Sequence, residues 1–251
     1  MNMMEIVIDG LVCRRDADGQ YSVVSCDASV VDAVIHLTVY GATVIGIGDR
    51  AFSDCAALES ITFVDAPDAI DAAVYGFTVG EEAFADCSSL KEISLPDSTT
   101  AIGRSAFRGC KAIERVEIGR AYVSPYAFYM CEALVSVSPL SNVSEGAFSH
   151  CKSLSCLPLF DGVTEIGEDA FEHCYSLTDI TVPKSVKRIG SLAFRSCYGL
   201  MSVTFEDANG WYCHNGYTNR EYPLDLTDPT ENAVALSKMD FDDGITAWYK
   251  K

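Results

Sequence analysis

Ile166-Gly167-Glu168-Asp169-Ala170-Phe171-Glu172-His173-Cys174-Tyr175-Ser176-Leu177-Thr178-Asp179-Ile180-Thr181-Val182-Pro183 decides the fold, because the chain rewrites it along most of its length. Its skeleton, Ala-Phe-x-x-Cys-x-x-Leu, occurs seven times. The phenylalanines are Phe52, Phe84, Phe107, Phe128, Phe148, Phe171 and Phe194, each after an alanine. Three residues on stand Cys55, Cys87, Cys110, Cys131, Cys151, Cys174 and Cys197, and three further on a leucine or, at Ile113, an isoleucine. The phenylalanines are 32, 23, 21, 20, 23 and 23 residues apart. A period in the twenties marks a solenoid, whose units cannot bury their apolar faces alone.

Within one unit, Ala170, Phe171, Cys174 and Leu177 form a single apolar stripe, which predicts a short helix or helical turn. Asp179-Ile180-Thr181-Val182 then alternates as a half-buried strand does. Pro183 ends the strand, Val186 and Ile189 re-enter the core, and Gly190 opens the next turn. Stacked coils predict an α/β solenoid with one parallel sheet of short strands and short helical turns. Strand spacing of about 4.8 Å makes a core roughly 34 Å long.

These residues resemble the leucine-rich repeats of the BspA-like family, which read Ile-Gly-x-x-Ala-Phe-x-x-Cys-x-x-Leu-x-x-Ile-x-Ile-Pro. The resemblance covers about residues 45–205. The lead-in is similar too: Gly10-Leu11, a hairpin at Asp16-Ala17-Asp18-Gly19, and Val39 to Val44. It implies a curved leucine-rich repeat solenoid, commonly on a surface and binding host or matrix proteins. It does not imply catalysis. The expected organisation is one continuous domain: an N-terminal cap over 1–44, the repeats over 45–205, and a C-terminal cap over 206–251.

A net charge of −18 in 251 residues disfavours nucleic acid, whose binders place lysine and arginine against phosphates, and disfavours an anionic membrane surface. No run of about 18 apolar residues is present, so no membrane insertion is expected. Met1 to Asp9 lacks the basic start and apolar stretch of a signal peptide, as in a chain that stays inside the cell or has lost a leader. Eleven cysteines invite disulfides or zinc, yet seven share one register, where they read as a reduced core ladder. A serine there would bury a hydroxyl with no prepared partner. Cys13, Cys26, Cys156 and Cys213 form no Cys-x-x-Cys pair.

Before the repeats, Asp16 to Gly19 reads as a hairpin turn rather than a calcium loop, since the further acidic ligands are missing. Val30 to Val39 is expected to cover the first coil's edge. After the first repeat, an insertion at 65–74 carries Asp65, Asp68 and Asp71, read as a solvated acidic bulge. Beyond Glu206, Trp211-Tyr212 and Leu224-Asp225-Leu226 suggest short strands. Asp228-Pro229-Thr230-Glu231 starts a helix, with an acidic N-cap and proline at N1, and Gly244 follows its acidic stop. Trp248 and Tyr249 are expected to pack on the last coil.

Two candidate surfaces break the pattern. Tyr122, Tyr126, Tyr129 and Met130 place apolar groups at mostly polar outer positions of the short fourth repeat, as contact patches do. The alternative is that shorter coils shift the packing and the 65–74 insertion or a neighbour covers these rings. On the strand face a bland stripe of serine and threonine is interrupted by Arg115 and Glu117. His150 and His173 should sit one coil apart. Two ligands make a poor metal site, and polar surface is the favoured reading. No cofactor or metal is therefore expected. The reading is a non-catalytic module for a protein partner, with weak self-association through the tyrosines as an option. A structural spacer is the alternative. A cysteine enzyme with His150 or His173 as base fits least, because the repeated thiols occupy core slots and no histidine shares the row of Cys156.

Overall fold

The computed structural model describes residues 4–64, 76–238 and 245–251. The acidic insertion with Asp65, Asp68 and Asp71, and Gly244 after the helix, lie outside the described residues.

The coils lay down two lines of parallel strands where one was expected. The first runs through Ala42–Ile47, Phe77–Val79, Thr99–Ile102 and Tyr122–Val123, and resumes with Glu165–Ile166 and Arg188–Gly190. The second begins with Asp32–His36 beside Ser60–Val64, continues through Glu92–Ser94, Arg115–Glu117 and Ser136–Val137, and resumes with Asp179–Val182 and Ser202–Phe205. Ile189 is buried in the core, as expected, and is so as part of the first line. The residues before each Ala-Phe turn therefore form a sheet of their own.

The Ala-Phe-x-x-Cys segments are turns and not helices. Among the described residues the one α-helix is Pro229–Ser237. The cause is a backbone rhythm repeated in every coil. The residue before the alanine and the residue before the cysteine both adopt left-handed conformations, with φ between 52° and 74°. Ser53 and Cys55 donate back to Arg50 and Phe52 within the turn, while Arg50, Phe52 and Asp54 donate to Glu81, Ala83 and Ala85 of the next coil. A helix would spend all these N–H groups internally. Sharing them satisfies the turn and its neighbour together. Left-handed backbone favours glycine, aspartate and asparagine, as at Asp54, Asp86, Gly109, Gly146 and Asp169.

Inside each turn the phenylalanines stack face to face at centroid spacings of 5.0–5.6 Å, the coil repeat itself. The cysteines have a partner that the sequence does not reveal. Each thiol donates to the carbonyl of the preceding repeat's phenylalanine: Cys87 to Phe52 at 3.0 Å, Cys110 to Phe84 at 3.1 Å, and likewise to Cys197 and Phe171 at 3.0 Å. The expectation that a buried donor here finds no acceptor is thus corrected. Cys55, with no earlier phenylalanine turn, meets the Cys26 thiol instead, their sulfurs 2.8 Å apart. All seven repeated cysteines are buried and free.

Gly190 serves close approach rather than a turn. A Cβ there would lie 2.5 Å from the Glu168 nitrogen of the preceding coil.

At the N-terminal end, Leu11–Arg15 and Tyr21–Cys26 pair antiparallel around a turn in which the Asp16 carboxylate accepts from Asp18 and Gln20. At the other end, Ile245–Lys250 pairs antiparallel with Arg188–Gly190, setting the buried Trp248 opposite Ile189. Trp211–Asn215 pairs with Ile245–Lys250 in turn. The Asp228 side chain accepts from Thr230 and Glu231 to start the helix, and Asn232 donates to the Val203 carbonyl at 3.0 Å. Leu224 to Leu226 is not a strand; Arg220–Pro223 pairs with Trp211–Asn215 instead.

Candidate functional site

Both strand lines break at the short coils. In the first, residues 142–143 form no strand, and the Asn142 side chain takes over the ladder. Its Oδ1 accepts from the Val123 N–H and its Nδ2 donates to the Val123 carbonyl, both at 2.8 Å. Backbone pairing returns only through the Val143–Ile166 bridge. The recess forms a cleft of about 440 Å³, lined in part by Tyr122, Pro125, Asn142, Glu145, Glu165 and Arg188. Tyr122 stands at its side, 54% exposed.

Tyr126 and Tyr129 lie on the adjoining turn, edge to face at 6.1 Å. Neither projects freely, and both are half-buried, as is Met130. The Tyr126 ring lies over Gly146 of the next coil, where a Cβ would come within 2.3 Å of it, and the Arg104 guanidinium covers the ring at 4.9 Å. Its hydroxyl donates to Glu145. That bond, with partial burial, pushes the hydroxyl up to about 12. Of the four residues expected to make an exposed cluster, Tyr122 keeps the exposed ring.

Arg115 and Glu117 sit on the second line, both exposed, beside Glu92 and Ser94 in register. This face carries its own cleft further on, about 620 Å³, where the second line breaks. Cys156, Pro158, Asp179 and Ser202 line it. Of the eleven cysteines, all among the described residues, Cys156 alone is exposed. No histidine is among the residues lining this cleft; the titratable neighbours of Cys156 there are the carboxylates Asp161, Asp179 and Glu206. Burial pushes the thiols of Cys110, Cys131, Cys151 and Cys174 well above their ordinary value.

The turn exteriors carry an aromatic file. Tyr129 meets His150 edge to face at 5.5 Å, and His150 lies 4.5 Å from His173. His173 meets Tyr175, which stacks on Tyr198 at 5.9 Å. His150 and His173 are thus one coil apart, as their spacing predicts. The sequence reading missed Glu172, which joins them: its carboxylate lies 3.7 Å from His173 Nε2 and 3.4 Å from Arg195. Adjacency to His173 was visible in the sequence, but the direction of its side chain depends on the left-handed residue that follows. Asp169, on the same turn, has one buried carboxylate oxygen with no hydrogen-bond partner among the described residues. Burial, with Glu172, Glu168 and Glu145 nearby, pushes it up to about 6.

A family described as the BspA type leucine rich repeat region matches six copies over residues 35–77, 47–145 and 122–209. A search of curated proteins found no match. Among solved structures, a leucine rich cell surface protein from Faecalibacterium prausnitzii A2-165 is 25% identical with a TM-score of 0.68. The alignment covers 89% of this chain and 62% of that one, so the chain spans less than two thirds of that protein's length. The leucine-rich repeat protein of T. pallidum is 21% identical at a TM-score of 0.49, covering 69% of this chain and 91% of that one. No described helix is long and apolar enough to cross a membrane.

Proposed function

Because the chain belongs to the BspA-type leucine-rich repeat family, we propose that it is a non-catalytic protein-interaction module, displayed at a cell surface and binding a protein partner in an adhesin-like way. Leucine-rich repeat domains generally bind proteins, and the similar F. prausnitzii chain is described as a cell surface protein. The observation that carries the docking site is Tyr122, an exposed ring beside the cleft where the first strand line breaks. Tyrosine suits an anchor, since its ring buries area while its hydroxyl stays at a wet rim. Glu165 pairs with Arg188 and Glu145 accepts from Tyr126, but with Glu168 the three carboxylates outnumber the single arginine of the lining, which favours a partner that presents lysine or arginine. Tyr126, Tyr129 and Met130 back the anchor from the adjoining turn.

The test is binding to a panel of immobilised extracellular-matrix proteins, followed by substitution. Tyr122→Ala should weaken the captured partner about tenfold or more, with melting unchanged. Arg115→Ala with Glu117→Ala should have little effect. If the charge pair abolishes binding and Tyr122→Ala leaves it intact, the site belongs on the second strand line. A scaffold or spacer role is the second reading, favoured by the small hydroxyls of that line, Ser60, Ser94, Ser136, Thr181, Ser202 and Thr204. It predicts no capture by any protein on the panel.

A further inference from the structure

We propose that His150, Glu172 and His173 form a binding site for a divalent transition cation of the zinc class. The site lies on the outer ridge of two adjacent turns and is independent of the cleft beside Tyr122.

The coil geometry brings the donors together. His150 and His173 occupy the same left-handed position in successive coils, with φ of 63° and 59°. The His150 N–H donates to the Glu172 carbonyl at 2.7 Å, which fixes the separation of the two turns at this point. One ligand atom from each of the three side chains lies within 4.8 Å of the others. A tetrahedral cation with bonds of about 2.0–2.1 Å needs donors roughly 3.4 Å apart. The side chains are half-buried, and rotations within their staggered wells bring the donors closer.

The surroundings favour metal-competent imidazoles. His150 is half-buried, its ring 4.5 Å from that of His173, so the two imidazoles face one another across adjacent coils. The Tyr175 hydroxyl lies 3.2 Å from His173 Nδ1. With the proton on Nδ1, donated to that hydroxyl, Nε2 faces Glu172 as a ligand, an outer-shell arrangement common at metal-bound histidines. Tyr129 holds the His150 ring from the other side. Two imidazoles and a carboxylate select zinc, nickel or copper over calcium or magnesium, which take oxygen ligands. Arg195 lies 3.4 Å from the same Glu172 oxygen, so a cation must share or displace it, which limits affinity. Three protein ligands leave coordination open to water or to a donor from outside.

The experiment titrates zinc chloride into the full chain by calorimetry, in a Cys156→Ser background that removes the exposed thiol. The expected result is one zinc per chain and a rise in melting temperature. His150→Gln and His173→Gln should each weaken binding at least about tenfold, without lowering the metal-free melting temperature. No saturable binding, or binding unchanged in the double histidine variant, would overturn the site. The latter result would move attention to His36, 3.4 Å from Asp9. Should a histidine variant fail to fold, cobalt substitution in the Cys156→Ser protein decides. Visible bands of nitrogen and oxygen ligation support the site, while thiolate charge-transfer bands, or none at all, refute it.

Discussion

The inside and the outside of the same turns obey different rules. Inside, every coil repeats one arrangement: a phenylalanine stacked on its neighbours, and below it a cysteine. On the outer side of the turn, the residue before the cysteine is Asp54, Asp86, Gly109, Met130, His150, His173 or Ser196 in turn, with Gly109 and Ser196 covered by their neighbours. All seven have the same backbone conformation, so the variation is not a matter of shape. The interior has one solution because a stacking error in one coil is passed to both neighbours. The exterior needs only to tolerate a left-handed backbone, and is free to carry chemistry. The contrast teaches where fold ends and function begins in this chain.

The most severe break is inside. Phe128 is fully buried, stacked on Phe107 at 5.1 Å and Phe148 at 5.3 Å. Phe128→Ala should cost about 3–5 kcal/mol, since the cavity is flanked by coils whose spacing is fixed by hydrogen bonds. Urea unfolding reads this directly. A loss below about 1 kcal/mol would mean that the coils collapse into the gap and that the stack is not rigid.

The thiol ladder comes next. Cys110→Ala removes a buried donor from the Phe84 carbonyl and should cost on the order of 1–2 kcal/mol. Cys110→Ser keeps a donor facing the same acceptor, so it should cost no more than the alanine variant. That ordering separates a hydrogen-bonding role from simple packing. If serine is much the worse of the two, the sulfur is there as a small hydrophobe and the carbonyl contact is incidental.

The sequence made the interior legible because phase carries it. Seven in-register copies of Phe and Cys define a coil whatever the local backbone does. The same periodicity hid the turn geometry, since Ala170, Phe171, Cys174 and Leu177 fit a helical stripe as well as they fit an alternating right- and left-handed turn. The first strand line was missed for a related reason: two or three residues such as Glu165–Ile166 are too few to show alternation. At the candidate sites, identity was visible and direction was not. Tyr126 looked outward by analogy with Asp169 and Arg50, yet its ring reaches over Gly146 of the next coil. Glu172 turned out to complete the histidine pair through its position beside a left-handed residue, which no spacing rule encodes.

The smallest effect is outside, and it should run against the usual direction. The Asp169 carboxyl is pushed up to about 6 from an ordinary 3.8 by burial and by Glu172, Glu168 and Glu145. The folded chain therefore holds a proton between these values that the unfolded chain has released. Stability contributed by this group is unchanged below about pH 4, falls as pH rises toward 6, and stays reduced above it. Asp169→Asn removes the titration, and asparagine accepts the left-handed φ of 52° at this position as readily as aspartate. At pH 7 the variant should be more stable than the parent by roughly 1 kcal/mol, a figure discounted for partial exposure, and at pH 4 the two should converge. Denaturation midpoints at pH 4, 5, 6 and 7 would trace the difference. A variant that loses stability at pH 7 would show that the Asp169 carboxylate makes a favourable contact in the fold, and that the outer position of this turn is bound by more than its backbone.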